Sequence, residues 1–419
     1  MVLERVAASV DEAGLWKMHE EMARFGATPK GGVCREALTP EDFDARRQFA
    51  EWGRDAGFVL AVDAIGNMFL RREGTEPDLP PVITGSHLDS QPTGGRFDGS
   101  FGVLAGLEAL FALERAGIRT RAPIEVVNWT NEEGGRFAPG VMGSGVYADP
   151  SMLATMLEVP DKAGTRLGDE LDRLGSILAP VGPVGARALA APVGAFIEGH
   201  IEQALRLEET GNSIGIVTGI QGTRKFRVEV IGEEAHAGTT PRRRRRDAVL
   251  AAAWMVQALH RMMEDADDLL RFTIGVFEAF PGAPSVIPGR VRFSIDFRHP
   301  DDVLRARLGD AIRPLCEALA GPCRVQIEEL QAAASVDFHG AAIEAVRHAV
   351  EIVGASHMDL YSGAGHDARN MARLCPSAMV FVPCEKGISH NEAENAKPED
   401  LAEGARVIAV ALAALAGAA

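Results

Sequence analysis

The chain has 419 residues, more than one hydrophobic core ordinarily serves, so two domains are expected. Hydrophobic residues make up 46% and charged residues 24%, a globular balance that excludes the disordered and low-complexity classes. A formal net charge of −16 argues against nucleic acid or an anionic membrane as partner, since both select positive surface.

The opening Met1-Val2-Leu3-Glu4-Arg5-Val6 lacks the basic region and apolar core of a secretory signal, so a cytoplasmic location is expected. Apolar residues at helical spacing predict one amphipathic helix from Glu4 to about Phe25. A second helix follows Thr39-Pro40-Glu41-Asp42, where Thr39 can cap and Pro40 takes the first helical position. Short apolar segments bounded by Gly, Pro or Asn come next: Phe58–Val62, Pro81–Thr84, Ile124–Trp129, Ala195–Ile197 and, much later, Ala378–Val382. Helical patterns such as Gly102–Ala116 separate them, which predicts an α/β layer around a largely buried sheet. From about Ile214 to Leu330 strict alternation takes over, with Phe226, Val228 and Val230, then Val291, Phe293, Ile295 and Phe297. Alternation of this kind marks a sheet with one wet face. The order strand, helix (Asp247–Met263), strand (Phe272–Phe277), strand, helix (Asp302–Leu319), strand (Val325–Leu330) is the ferredoxin-like β-α-β-β-α-β arrangement. The expected organisation is one discontinuous domain, 1–213 and 331–419, interrupted by an inserted α+β domain, 214–330.

Arg242 to Arg246 form a run of five arginines. In an acidic chain with no interleaved aromatics, this reads as a solvated lead-in to the helix at Asp247 rather than a nucleic-acid patch. The Ala-rich tract Val407–Ala419 is shorter than the ~20 residues a membrane span needs, and a closing amphipathic helix is expected there. The five cysteines, Cys34, Cys316, Cys323, Cys375 and Cys384, are odd in number and form no C-x-x-C pair. They read as small buried hydrophobes in a reducing compartment.

Four segments place His, Asp or Glu at or just beyond a predicted strand end, the edge where sites assemble in open α/β sheets. They are Ser86-His87-Leu88-Asp89 with Asp98 in the following Gly-rich loop, Asn131-Glu132-Glu133-Gly134, Glu198-Gly199-His200, and Ser389-His390-Asn391. Asp89, two residues past His87, can accept a hydrogen bond from the second ring nitrogen of a metal-bound imidazole. Adjacent carboxylates at Glu132 and Glu133 can divide ligation and proton transfer. A lone histidine is more often structural than ligating, and the chain has eleven. Four strand-end hits within one architecture outweigh that reading. Histidine and carboxylate ligands without cysteine suit a borderline or hard metal used in hydrolysis.

The ordered set of motifs resembles the N-carbamoyl-L-amino-acid hydrolase and allantoate amidohydrolase family, kin of the dinuclear zinc exopeptidases and aminoacylases. The likeness runs nearly end to end through Gly31-Gly32-Val33, Thr84–Gly106, Asn131–Phe137, Glu198–Gln203, Gly219–Gly222, His236–Pro241, Ile287–Gly289, Asp296–Pro300, Ser362–Ala368 and Gly387–Asn391. The resemblance implies a zinc-exopeptidase-like catalytic domain with the insert as lid and dimerisation domain. It implies two divalent ions, zinc first, with manganese, cobalt or nickel as alternatives. His87, Asp98, Glu133, His200 and His390 would be the ligands, Asp98 bridging, with the shell of each ion left open. Glu132 would be the general base. Gln203, Ser285, Arg298 and the Gly365 loop would bind substrate, Arg298 reading a carboxylate. His236 would stabilise the oxyanion from the partner subunit of a homodimer. The implied reaction is hydrolysis of a linear amide or ureido bond, first of an N-carbamoyl-L-amino acid, with allantoate, ureidoglycolate, β-ureidopropionate or an N-acyl amino acid as alternatives. Ser285 departs from the family, which usually has Asn there, a donor and acceptor of longer reach.

Overall fold

The computed structural model describes residues 1–267 and 269–418, and the chain divides into two compact units. The larger comprises 1–218, 338–360 and 365–419; the smaller comprises 219–337 and 361–364.

In the larger unit four parallel strands lie side by side in the order Ser377–Val382, Ala195–Ile201, Val82–His87 and Ile124–Trp129. Every residue of these strands is buried, the consequence of continuous apolar runs covered on both faces. Antiparallel strands extend the sheet, Met68–Arg72 and Val59–Val62 on one side and Ile214–Ile220 on the other. The strand from Val82 continues to His87 and that from Ala195 to Ile201, both further than the apolar runs predict. His87 and His200 therefore belong to strand ends rather than loops. After Val82–His87 the chain adds Ile124–Trp129 on one flank and later Ala195–Ile201 on the other. The crevice at that reversal is a topological switch point, where open α/β sheets place their ligands.

Two further expectations give way to the observed structure. The predicted N-terminal helix is two helices, Val2–Ala8 and Glu12–Met22. Asp11 leaves the helical conformation to cap the second one, accepting from Gly14 N at 3.0 Å, while its own N–H donates to Glu108. The C-terminal helix, Pro398–Leu415, is longer than expected, and Leu401 through Ala413 are almost all buried. It is a core helix packed on the helix Ser100–Ala116, so its apolar residues run all round rather than along one stripe. Thr39 caps the helix Pro40–Asp55 through Asp42 N at 3.4 Å. No helix among the described residues is long and apolar enough to cross a membrane.

The smaller unit is an antiparallel sheet in the order Arg324–Ala333, Gly222–Ile231, Arg290–His299, with Arg271–Thr273 and Phe277–Phe280 both pairing the last. This is the ferredoxin-like order. Phe226, Val228, Val230, Val291, Phe293, Ile295 and Phe297 meet Ala251, Met255, Leu259, Ile312 and Cys316 from the helices Ala248–Met262 and Asp302–Leu319. The alternate residues, Lys225, Arg227, Ser294, Asp296 and Arg298, form the other face.

Candidate metal centre

His87, at the end of its strand, directs Nδ1 to the main-chain carbonyl of Asp89 at 2.9 Å. His200 directs Nδ1 to the carbonyl of Ile201, also at 2.9 Å. A carbonyl at Nδ1 fixes the ring and leaves Nε2 as the ligating atom. Both Nε2 atoms face Asp98 Oδ1, at 3.7 Å from His87 and 3.2 Å from His200. The other oxygen, Oδ2, lies 3.2 Å from His390 Nε2, which in turn lies 3.3 Å from Glu133 Oε2. Two donor groups result, His87–Asp98–His200 and Asp98–Glu133–His390, each with donor atoms within 4.8 Å of one another. Asp98 belongs to both. Glu132 belongs to neither; its Oε2 lies 3.5 Å from His87 Nε2.

Asp89 departs from the expected arrangement. Its carbonyl, not its carboxylate, holds His87. The carboxylate instead accepts from Glu132 N and Glu133 N at 3.2 Å each, so it shapes the loop that presents those two acids. That loop is held open by left-handed backbone at Asn131 (φ 55°) and Val141 (φ 54°), and Val141 N bonds Glu132 O at 2.6 Å. Gly99, at φ 63°, allows a close approach: an added Cβ would run into the His87 ring.

Burial and charge pull the titrations apart. Burial raises Glu132 well above the usual carboxylate range, with Asp367 and Glu133 adding to it. Burial and the neighbouring Asp98 lift Glu133 to about 8. Burial acts to raise Asp98 too, but its hydrogen bonds to His200 and His390 outweigh that and hold it well below the usual value. Burial lowers His87 to about 4. It works against His200 as well, yet Asp98 brings that ring to about 9; His390 reaches about 9 chiefly through its hydrogen bond to Asp98. Crowded buried carboxylates faced by imidazole Nε2 atoms are a donor set that divalent cations stabilise, and the residues present fit two such ions.

Around this set lie residues that spacing and motif alone do not single out. Glu394 accepts from Phe97 N at 2.8 Å and Asp98 N at 3.1 Å and thereby fixes the backbone of Asp98. Ser389 Oγ lies 2.9 Å from Asp98 Oδ2 and 3.1 Å from Glu394. Glu198 accepts from Ser86 Oγ and Ala368 N, and the His366 ring centroid is 4.5 Å from that of His200. The signal for Glu394 was slight, an acid four residues past His390 in a polar loop. Gln203, itself left-handed at φ 58°, donates through Nε2 to Asp98 Oδ2 and Ser389 Oγ, both at 3.0 Å. Its Oε1 is buried without a hydrogen-bond partner.

Of the remaining candidates, Gly365 lies in the larger unit, exposed in the loop after the strand His357–Ser362. His236, Ser285 and Arg298 lie in the smaller unit. Ser285 is exposed, and its carbonyl accepts from Ala237 N at 3.0 Å, beside His236. Arg298 is not an empty fork: Asp296 takes Nε and Nη2 at 3.3 and 3.2 Å, and Gly363 O takes Nη1 at 2.8 Å. Two of its five N–H groups stay available to a further acceptor.

The profile of peptidase family M20/M25/M40 matches residues 83–414. The chain is 42% identical over 398 residues to the N-carbamoyl-L-amino-acid amidohydrolase of Rhizobium meliloti, covering 94% of each chain. It is 35% identical to the allantoate amidohydrolase of Escherichia coli K12, over 93% of this chain and 95% of that one. Among solved structures, an amidase of the hydantoinase/carbamoylase family from Burkholderia multivorans superposes with a TM-score of 0.90 at 46% identity, covering 97% of this chain and 98% of that one.

Proposed function

Since the chain belongs to peptidase family M20/M25/M40, we propose that it is an amidohydrolase that cleaves the ureido C–N bond of an N-carbamoyl-L-amino acid, yielding the amino acid, carbon dioxide and ammonia. The observation that carries the reading is Asp98, whose two oxygens divide between the His87–His200 pair and the Glu133–His390 pair. These two donor groups would hold two divalent ions, zinc in the first instance, with manganese, cobalt or nickel able to occupy the same donors. Two ions held by these donors would lower the pKa of water and polarise the scissile carbonyl.

Glu132 lies beside the ligands without belonging to either group, which suits it to take the proton of the attacking water. It then delivers that proton to the departing nitrogen, a poor leaving group until protonated. Gln203 has committed its N–H donors to the scaffold, so its orphaned Oε1 would accept from a substrate N–H. A terminal carbamoyl NH2 supplies such donors. An N-acyl amino acid offers only its single amide N–H, at the bond to be cleaved, so the orphan oxygen is better served by the ureido class, in which allantoate is the rival. Arg298 and the Gly365 loop would receive the substrate carboxylate, and the smaller unit would serve as lid and dimerisation domain. The partner subunit's His236 would stabilise the oxyanion. The five free cysteines support a reducing, cytoplasmic setting.

The test is ammonia release by metal-reconstituted enzyme across carbamoyl amino acids, allantoate, ureidoglycolate and N-acyl amino acids. Ammonia from carbamoyl amino acids is expected. Turnover confined to N-acyl amino acids would overturn the ureido reading, and Ser285 would then mark a pocket retuned to another amide.

A further inference from the structure

The arginine run reads, from sequence, as five equivalent solvated side chains. The structure separates one from the rest: Arg242, Arg243, Arg244 and Arg246 are exposed, whereas Arg245 is half-buried. Its Nε donates to Thr240 O at 3.0 Å and its Nη2 to Ala237 O at 2.7 Å. One planar fork thus ties both ends of the turn that follows His236. The turn closes on itself through Thr240 N and His236 O at 3.2 Å. Ala237 is held from both sides, its N–H by Ser285 O and its carbonyl by Arg245.

Within that turn Gly238 N and Thr239 N both point at His236 Nδ1, at 3.0 and 3.1 Å. A ring nitrogen that receives two main-chain N–H groups is an acceptor, so the ring proton resides on Nε2. An oxyanion stabiliser must present a donor where the charge develops. We propose that Arg245 is a positioning residue: by gripping the Ala237 and Thr240 carbonyls it keeps the turn wound and holds His236 in its Nε2–H, donor-outward tautomer. Lysine would not substitute fully, because a single ammonium cannot span two carbonyls in a fixed fork. The catalytic part of this assignment rests on the oxyanion role of His236 proposed above; the tautomer part does not.

The experiment uses the full-length, zinc-reconstituted enzyme as wild type, Arg245→Ala, Arg245→Lys, Arg243→Ala and His236→Ala. Nitrogen-15 histidine spectra report the His236 tautomer, with its signals identified by their loss in His236→Ala, and steady-state kinetics use the carbamoyl amino acid turned over best. Arg245→Ala is expected to lose the single Nε2–H pattern and to lower kcat about tenfold or more at little-changed KM, since a displaced donor is lost mainly in the transition state. Added guanidinium ion should restore part of both, Arg245→Lys should fall between, and Arg243→Ala should match wild type. An unchanged His236 pattern in Arg245→Ala overturns the proposal. If that variant does not fold, an unchanged pattern in Arg245→Lys does so. Full turnover by His236→Ala would refute the oxyanion role, and the spectra would still decide what Arg245 does.

Discussion

Glu132 and Glu133 are consecutive, yet the structure gives them different surroundings. Glu133 is gripped by Gln91, whose N and Nε2 reach its two oxygens at 3.2 and 2.8 Å, and it faces His390. Glu132 has its main-chain N–H on Asp89 and its carboxylate beside His87. Left-handed Asn131 turns the chain just ahead of them, so the pair lies in a loop rather than along the strand that ends at Trp129. Glu132→Gln keeps the volume and removes the proposed base. Turnover should fall by ~10²–10⁴-fold, the usual worth of a positioned acid–base group. Metal content, measured by elemental analysis after gel filtration, should stay at the wild-type ratio. Unimpaired turnover would remove Glu132 from the mechanism, and loss of metal would make it a ligand instead.

At the scale of elements, the helix Glu12–Met22 carries His19 into the core against Phe97 and Phe101, with ring centroids at 5.3 and 6.4 Å. Neither ring nitrogen has a hydrogen-bond partner. Burial, with Arg96 nearby, lowers its pKa to about 3 from 6.5. Between those values an unfolded chain takes up a proton that the folded chain refuses. Stability from this group is therefore complete above pH 6.5 and is lost as pH falls toward 3, by about 1.4 kcal/mol per pH unit. His19→Leu should flatten this acid limb in denaturant titrations between pH 6.5 and 4. An equally steep limb in the variant would assign acid sensitivity to other groups, such as the buried carboxylates.

For the whole molecule, the candidate metal ligands all belong to the larger unit, whereas His236 and Arg298 belong to the smaller. If the partner subunit's His236 completes each site, two different dead variants should rescue one another. Glu132→Gln and His236→Ala, each inactive alone, are expected to regain turnover when unfolded together and refolded as a mixture. A symmetric dimer then contains mixed pairs, in which one of the two sites is assembled from intact parts. No recovery from a mixture shown by mass spectrometry to contain mixed pairs would place His236 in the site of its own chain.

Much of this was legible in the chain itself, for reasons of period and position. Continuous apolar runs mark strands buried on both faces, strict alternation marks a half-wet sheet, and both patterns survive any tertiary context that keeps the chain folded. Histidines and acids just past such runs fall at the edge where parallel strands end, so His87, Asp98, Glu132, Glu133, His200 and His390 could be singled out from spacing and motif alone. What spacing could not decide is which of two chemically equal groups meets a neighbour. Asp89 offers His87 its carbonyl and keeps its carboxylate for Glu132 and Glu133. Glu394 anchors Asp98 from 296 residues away, and Gln203 spends its donors and strands its acceptor. Arg245 differs from its four arginine neighbours only because the turn after His236 folds two carbonyls toward it. Local patterns report the period at which a chain buries its apolar side chains. Hydrogen-bond partners are chosen by distances of about 3 Å between segments remote in sequence, and only the folded structure sets those.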